Sequence, residues 1–219
     1  MKVNLKIPTT LNELTLGQYQ EFAKLENKQE KSNDTSLQLK MVEIFCNVPE
    51  VVVRNMKATD IAEICSIINN MFDAKHQLIN KFTLNGVDYG FIPESLDDMS
   101  FGEYMDLDTF IGDNDNLHRA ANVLFRPIKL KRGNRYIIQD YDPDTSDDAK
   151  DFPLDVVLGA IVFFYTLGKD LSVVIMNSLD KKNEKDLAQY LISHPNTDGS
   201  TVSMQSLTEI LQNLNISQN

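Results

Sequence analysis

The sequence has few of the residues that metal sites, disulfide frameworks and many active sites require. Its 219 residues include no tryptophan, three histidines and two cysteines. Cys46 and Cys65 both lie within apolar segments of helical spacing, which predicts buried, reduced thiols and no disulfide. His76, His118 and His194 are far apart in the chain, and none has a second ligand at the spacing of a zinc site. We therefore predict no metal site.

Positive charge is outnumbered by negative charge, and this argues against one class of partner. The chain has 21 Lys and Arg against 32 Asp and Glu, which gives a formal net charge of −11. Nucleic-acid binding without sequence preference needs clustered Lys and Arg, so we expect no direct binding to DNA or RNA. The one dense basic segment, Lys129–Arg135, is interpreted as a solvated turn.

No apolar run in the sequence is long enough for a membrane span. The longest, Val156–Leu167, is too short to cross a bilayer and predicts a buried helix instead. The N-terminal residues lack the apolar segment of a secretion signal. We therefore expect no membrane association and a location in the cytoplasm.

Common catalytic signatures are missing as well. The sequence contains no phosphate-binding Gly-Lys-Ser/Thr loop, no dinucleotide fingerprint and no Gly-x-Ser-x-Gly motif. Asp113–Asn116 resembles the start of a calcium loop, but the glycine at the sixth position is absent and Leu124 stands in place of the bidentate glutamate. We expect no enzymatic activity and no cofactor.

Four aspartates keep one enzymatic alternative open. Asp97, Asp98, Asp106 and Asp108 lie around a predicted helix start, where acidic side chains are favoured by the helix dipole. That interpretation makes them structural. The alternative is that they pair as the carboxylates of an enzyme without a familiar motif.

The sequence does contain one repeated segment. Residues 8–19 read PTTLNELTLGQY and residues 93–104 read PESLDDMSFGEY, and the two align without a gap. Pro, Leu, Gly and Tyr are identical in the alignment, and most other positions hold similar residues. We interpret the copies as the openings of two related halves of the chain; the alternative is a coincidence between two helix starts.

Each copy carries the capping-box spacing, in which a hydroxyl and an amide or carboxylate three residues later satisfy the first N–H groups of a helix. The pairs are Thr15 with Gln18 and Ser100 with Glu103. Glycine follows the first helical residue in both copies. Because glycine lowers helix propensity, its presence at both sites suggests close backbone packing there.

Helical and strand patterns along the chain define the fold class. Apolar spacing predicts a short helix near the N-terminus, a helix over Ala58–Phe72 with Thr59 as its cap, and a long apolar helix that ends at Gly168. Two β-hairpins are predicted, with turns at Asn85-Gly86 and at Gly133-Asn134. The fold is therefore expected to be mainly α with short β-hairpins, an α+β protein.

The same patterns suggest three parts. Residues 1–80 form a first helical lobe, residues 81–170 form a second, duplicated lobe with both hairpins, and residues 171–219 form a C-terminal helical extension. Near the end of the extension, apolar residues recur at the spacing of one helix face. These residues, for which we predict a partner-binding role, are Leu207, Ile210, Leu211 and Leu214. The alternative is that this helix folds back on its own core.

Several segments together resemble a small structural or assembly protein of large tailed bacteriophages. They include LTLGQYQEF, DIAEICSIINNMF, NGVDYGFIPESLDDMSFGEYMDLD and DVVLGAIVFFYTLG, and the likeness covers about Leu11–Gly168. The pattern is nearest to virion proteins of crAss-like phages. The opening Leu-Thr-x-x-Gln-Tyr helix is also similar to phage tail-assembly chaperone-like proteins, which are mostly helical.

The resemblance implies a non-enzymatic, virion-associated structural protein. It implies multiple copies near the portal or capsid vertex, in contact with other phage structural proteins such as portal, capsid or tail components. The expected location is the virion, and the host cytoplasm during assembly. The alternative is a soluble tail or capsid assembly chaperone that is absent from the mature particle.

Overall fold

The computed structural model describes residues 5–28, 34–92, 99–133, 135–143 and 147–179. Within these residues the chain forms seven α-helices, two short 3-10 helices and four β-strands. The helices are α1 (Leu16–Lys28), α2 (Asp34–Phe45), α3 (Glu50–Val53), α4 (Ala58–Phe72), α5 (Phe101–Ile111), α6 (Leu117–Leu124) and α7 (Leu154–Leu179). The strands are β1 (Lys81–Leu84), β2 (Val87–Phe91), β3 (Phe125–Arg132) and β4 (Arg135–Ile138). The predicted α+β fold class is confirmed.

Both predicted capping boxes are present. The backbone N–H of Gln18 donates to Thr15 Oγ1 at 3.2 Å, and the N–H of Thr15 donates to Gln18 Oε1 at 2.9 Å. At the start of α5, the N–H of Glu103 donates to the Ser100 hydroxyl oxygen at 3.3 Å, and the N–H of Ser100 donates to Glu103 Oε2 at 2.6 Å. Each box satisfies two N–H groups that a helix start otherwise leaves unpaired.

The four strands form one antiparallel sheet in the order β1-β2-β3-β4. The first predicted hairpin turns at Asn85 and Gly86, whose φ angles of 50° and 80° lie in the left-handed region that this turn needs. The second hairpin joins β3 to β4, and Gly133 has a φ of 62°. Both hairpin predictions are confirmed, although Asn134 lies outside the described residues.

The start of α7 is fixed against the start of α1. Leu16 N–H donates to the Phe152 carbonyl, and Leu154 N–H donates to the Leu14 carbonyl, both at 2.9 Å. This short antiparallel bridge places four nearly fully buried side chains in the core, those of Leu14, Leu16, Phe152 and Leu154. Along the first turns of α7, Val156–Ile161 are buried as well, whereas Val162–Tyr165 are half-buried and Thr166 is exposed, so the burial predicted for Val156–Leu167 is confirmed for its first half.

One predicted cap and one predicted helix end are wrong. Helix α4 has the predicted bounds, but its N-cap residue is Lys57 rather than Thr59, and Thr59 lies in the first helical turn with its hydroxyl donating to Asp60 Oδ1 at 3.2 Å. Helix α7 continues through Gly168 to Leu179. A single glycine costs a helix only about 1 kcal/mol, and no proline lies between Gly168 and Leu179.

The two copies of the repeated segment have different surroundings. Gly17 is closely packed, because a Cβ there would lie 3.2 Å from the Lys150 carbonyl oxygen, but a Cβ on Gly102 would meet nothing within 4 Å. The prediction of close packing is therefore right for Gly17 and wrong for Gly102. The residue before each glycine shows the same contrast, since Leu16 is fully buried and Phe101 is 78% exposed.

The division into lobes stays a prediction. Residues from both ranges, 1–80 and 81–170, contribute to one continuous cluster of buried side chains. For example, Leu16 of the first range donates its N–H to the carbonyl of Phe152 of the second at 2.9 Å, and both side chains belong to this cluster. The residues of the predicted terminal helix, from Leu207 to Leu214, lie outside the described residues.

Candidate protein-interaction surface

Helix α5 exposes three large apolar side chains on one face. Phe101 is 78% exposed, Tyr104 is 45% exposed and Met105 is 47% exposed. Residues three and four positions apart lie side by side on a helix, so these three form one surface, which we call the α5 face. Isolated exposed apolar residues are ordinary, but a contiguous group of large ones is typical of a contact site for another protein.

The opposite side of α5 is fixed in the core by a buried ion pair. Glu103 is 6% exposed, and Arg126 Nη1 donates to its Oε1 at 2.6 Å. Leu107 and Ile111 are buried beside it. Because a buried carboxylate without its cation is strongly unfavourable, this pair determines which side of α5 points inward. The α5 face is exposed as a consequence.

The electrostatics of Glu103 favour its charged form. Burial alone would raise the pKa of this carboxyl, but the hydrogen bonds from Ser100 and the positive charge of Arg126 outweigh burial and hold the pKa below its usual value. A second contact orients the same helix: the Tyr141 hydroxyl, from the segment after β4, donates to Asp106 Oδ2 of α5 at 2.5 Å. Burial, followed by this aspartate, raises the pKa of Tyr141.

A second exposed surface lies on the β3–β4 hairpin. Leu130 pairs with Ile137 across the two strands, and Arg132 pairs with Arg135. Alternate residues of a strand point to the same side of the sheet, so these four side chains share one side, which we call the arm face. Leu130 and Ile137 are each 59% exposed, and both arginines are exposed.

The other side of this hairpin is anchored to the sheet through Tyr136. Its hydroxyl donates to the carbonyl oxygens of Phe91 at 2.8 Å and Asn80 at 3.2 Å. Its ring lies over Gly90, where a Cβ would come within 2.4 Å of a ring carbon. Tyr136 therefore holds β4 against β2, and the arm face is presented by a fixed hairpin.

The histidines of the described residues occupy structural positions. Gln20 Nε2 donates to the Asn114 carbonyl at 2.6 Å and lies 3.2 Å from His118 Nδ1. Gln20 and His118 are 4% and 7% exposed, so this contact joins α1 to α6 inside the core. Because an amide N–H₂ can only donate, His118 Nδ1 is assigned as the acceptor.

His76 lines an open cleft of about 490 Å³ between the end of α4 and the start of α7. Its Nε2 is buried and has no hydrogen-bond partner among the described residues. Burial lowers the pKa of His76, although nearby Asp155 opposes that effect. Within the described part of the chain, no group of three or more His, Cys, Asp or Glu side chains is placed to hold a metal ion.

The remaining sequence candidates are only partly described. Asp106 accepts the hydrogen bond from Tyr141, and Asp97, Asp98 and His194 lie outside the described residues. The carboxylate-pair hypothesis therefore stays a prediction. Among the helices that the structure describes, none combines the length and the apolarity that crossing a membrane requires.

Both exposed surfaces were missed by sequence patterns alone. Helix α5 has apolar residues on more than one side, so periodicity does not indicate which side is buried. The charge of the arm face conceals it, since a basic segment such as Lys129–Arg135 is typical of a solvated turn. The useful signal is the alternation of Leu130 with Arg132 and of Arg135 with Ile137, which is the spacing of one sheet face.

Comparison of the chain with known protein families, with curated proteins and with solved structures gave no match. Function is therefore inferred from the chain's own residues and from the resemblance described above.

Proposed function

We propose that this protein is a non-enzymatic structural component of a tailed bacteriophage, present in several copies near the portal or capsid vertex, where it binds other structural proteins. The observation that carries the proposal is the α5 face, three large apolar side chains held outward by a buried ion pair on the other side of the helix. The resemblance of the sequence to phage virion proteins supplies the biological setting.

The energetics of the α5 face suit a permanent contact. Burying a Phe or Met side chain that is otherwise in water contributes about 1.5–3 kcal/mol. Aromatic residues and methionine are also enriched in protein interfaces. Because the Glu103–Arg126 pair fixes the helix before binding, a partner does not have to order it, and less of the contact energy is lost on association.

A soluble assembly chaperone is the second candidate. The segment Leu14–Tyr19 forms the capped start of α1, and its Leu-Thr-x-x-Gln-Tyr pattern is similar to the opening helix of phage tail-assembly chaperone-like proteins. A chaperone would use the same apolar surface transiently. The two candidates differ in whether the protein remains in the finished particle.

Mass spectrometry of purified particles and of assembly intermediates tests the proposal. A structural component is present in both, whereas a chaperone is present in intermediates and absent from particles. The variant Phe101→Ser/Met105→Ser is expected to fold but to lose incorporation into particles. Val51→Ser is the matched control, because Val51 is an exposed apolar residue (65%) on a different helix, and it should be incorporated like the wild type. Absence of the wild-type protein from particles, or normal incorporation of the α5-face variant, would contradict the proposal.

A further inference from the structure

We propose that copies of this chain bind each other head to tail, with the arm face of one copy seated on the α5 face of the next. The inference rests on the proposed function, since it names the partner of the α5 face as a second copy of the chain. It joins four exposed side chains of the β3–β4 hairpin to three exposed side chains of α5.

The charges on the arm face call for an acidic partner. Arg132 and Arg135 lie directly opposite each other, and like charges in that position destabilise a strand pair. Neither guanidinium forms an ion pair with a residue that the structure describes. The neighbouring lysines differ, because Lys129 binds Asp140 at 2.7 Å and Lys131 binds Asp88 at 2.5 Å. A carboxylate from outside the hairpin would relieve the repulsion between the two arginines.

A second copy of the chain supplies the complementary charge. Lys129–Arg135 carries four positive charges and no negative one, so the rest of a chain with a net charge of −11 carries −15. An acid lies at one end of the α5 face, because Asp108 follows Phe101 by seven residues and Tyr104 by four. A second copy therefore has a negative net charge outside its own hairpin, and an apolar surface, the α5 face, next to a carboxylate.

The apolar parts of the two surfaces are complementary as well. Leu130 and Ile137 present aliphatic side chains beside the two arginines, and α5 presents Phe101 and Met105 beside Asp108. Arginine and large apolar side chains together are typical of interface centres. Contact between the two surfaces would remove both apolar groups from water and place opposite charges side by side.

A contact between two different surfaces has a geometric consequence. After its first contact each copy keeps one unused surface, so the pair still presents one arm face and one α5 face, and association continues beyond a dimer. The assembly becomes a ring if the rotation between copies closes, and a filament if it does not. A ring of copies is the arrangement expected around a portal or capsid vertex.

Sedimentation velocity of the purified full chain over a range of concentrations, at physiological salt, tests the inference. The wild type is expected to form assemblies larger than a dimer as its concentration rises. Arg132→Glu/Arg135→Glu removes the positive charges but keeps a like-charge pair across the strands, so its stability should stay close to that of the wild type. Phe101→Ser/Met105→Ser removes two of the three apolar side chains of the α5 face. Each variant alone is expected to stay monomeric to a concentration at least ~tenfold higher than the wild type.

Mixing the two variants distinguishes head-to-tail contact from symmetric contact. The arginine variant retains its α5 face and the α5 variant retains its arm face, so an equal mixture can form one contact and should give a heterodimer that grows no further. The control Lys57→Glu/Lys75→Glu makes the same change in net charge at two exposed lysines elsewhere and should assemble like the wild type.

Four results would overturn the inference: a monomeric wild type at every concentration, unchanged assembly of either variant, assembly lost equally in the lysine control, or a mixture of folded variants that stays monomeric. Circular dichroism shows that each variant is folded. Because purified protein is used, the inference can fail while the protein is still found in particles, and the proposed function can fail while copies still associate.

Discussion

Replacing Gly159 with alanine should destabilise the protein, although alanine is the better helix former. A Cβ at this position of α7 would lie 2.2 Å from the carbonyl oxygen of Gln77 and 2.9 Å from its carbonyl carbon. Backbone atoms cannot rotate away as a flexible side chain can, so α7 and the segment after α4 would have to separate by about 1 Å to restore ordinary contact. The contact is possible only because residue 159 has no side chain.

The magnitude follows from two opposing effects. Overpacking of a close contact lowers the free energy of unfolding by about 3 kcal/mol at the upper end of its usual range. The higher helix propensity of alanine raises it by about 1 kcal/mol. The net expected loss in the free energy of unfolding is about 2 kcal/mol. For a chain of this size that corresponds to a fall in Tm of about 4–8 °C.

Urea unfolding followed by far-UV circular dichroism measures this difference, and Gly102→Ala is its matched control. Gly102 is also helical, but a Cβ there meets nothing within 4 Å, so alanine should raise stability by about 0.5 kcal/mol. The same chemical change is thus expected to have opposite signs at two positions. A Gly159→Ala protein as stable as the wild type would refute the close packing of α7 against the segment after α4.

Three further predictions concern Glu103, Tyr136 and Cys46. The pKa of Glu103 is lowered in the folded state, so its contribution to stability is complete above its usual value of 4.5 and is lost as the pH falls through the lower folded-state pKa. Glu103→Gln should flatten that acid limb of a pH series of unfolding curves and cost about 3 kcal/mol at neutral pH, because Arg126 loses its buried partner. Tyr136→Phe removes the hydroxyl that donates to two backbone carbonyls and should lower the free energy of unfolding by about 1 kcal/mol; an unchanged urea midpoint would contradict that anchoring. Burial, and then nearby Cys65, raises the pKa of Cys46 to about 11, so iodoacetamide should label it in urea but hardly at all in the native protein at pH 8, as mass spectrometry of the alkylated chain would show.

Features with a local cause were predictable from the sequence. The capping boxes at Thr15 and Ser100 depend on residues three positions apart, and both are present. The hairpin at Asn85-Gly86 depends on two residues that tolerate positive φ, and it forms where expected. The burial of Val156–Ile161 in α7 follows from apolar residues on nearly all sides of that segment. In each case neighbours in sequence suffice to determine the structure.

Features that depend on distant partners were not predictable. The outward orientation of Phe101 is determined by the pairing of Glu103 with Arg126, which is far away in sequence and has no signature of its own. Gly17 and Gly102 occupy equivalent places in the repeat, yet only the first is packed against a neighbouring backbone. The end of α7 was misplaced because glycine weakens a helix without ending it when tertiary contacts support its neighbours.

The central claim is that the protein is a multicopy structural component of a phage particle. Absolute quantification by mass spectrometry, with isotope-labelled peptides of this chain and of the portal subunit added to purified particles, tests it most directly. The account predicts several copies per particle, in a ratio to the portal subunit that is constant from one preparation to the next. Trace amounts that vary between preparations, or no detectable chain at all, would contradict it.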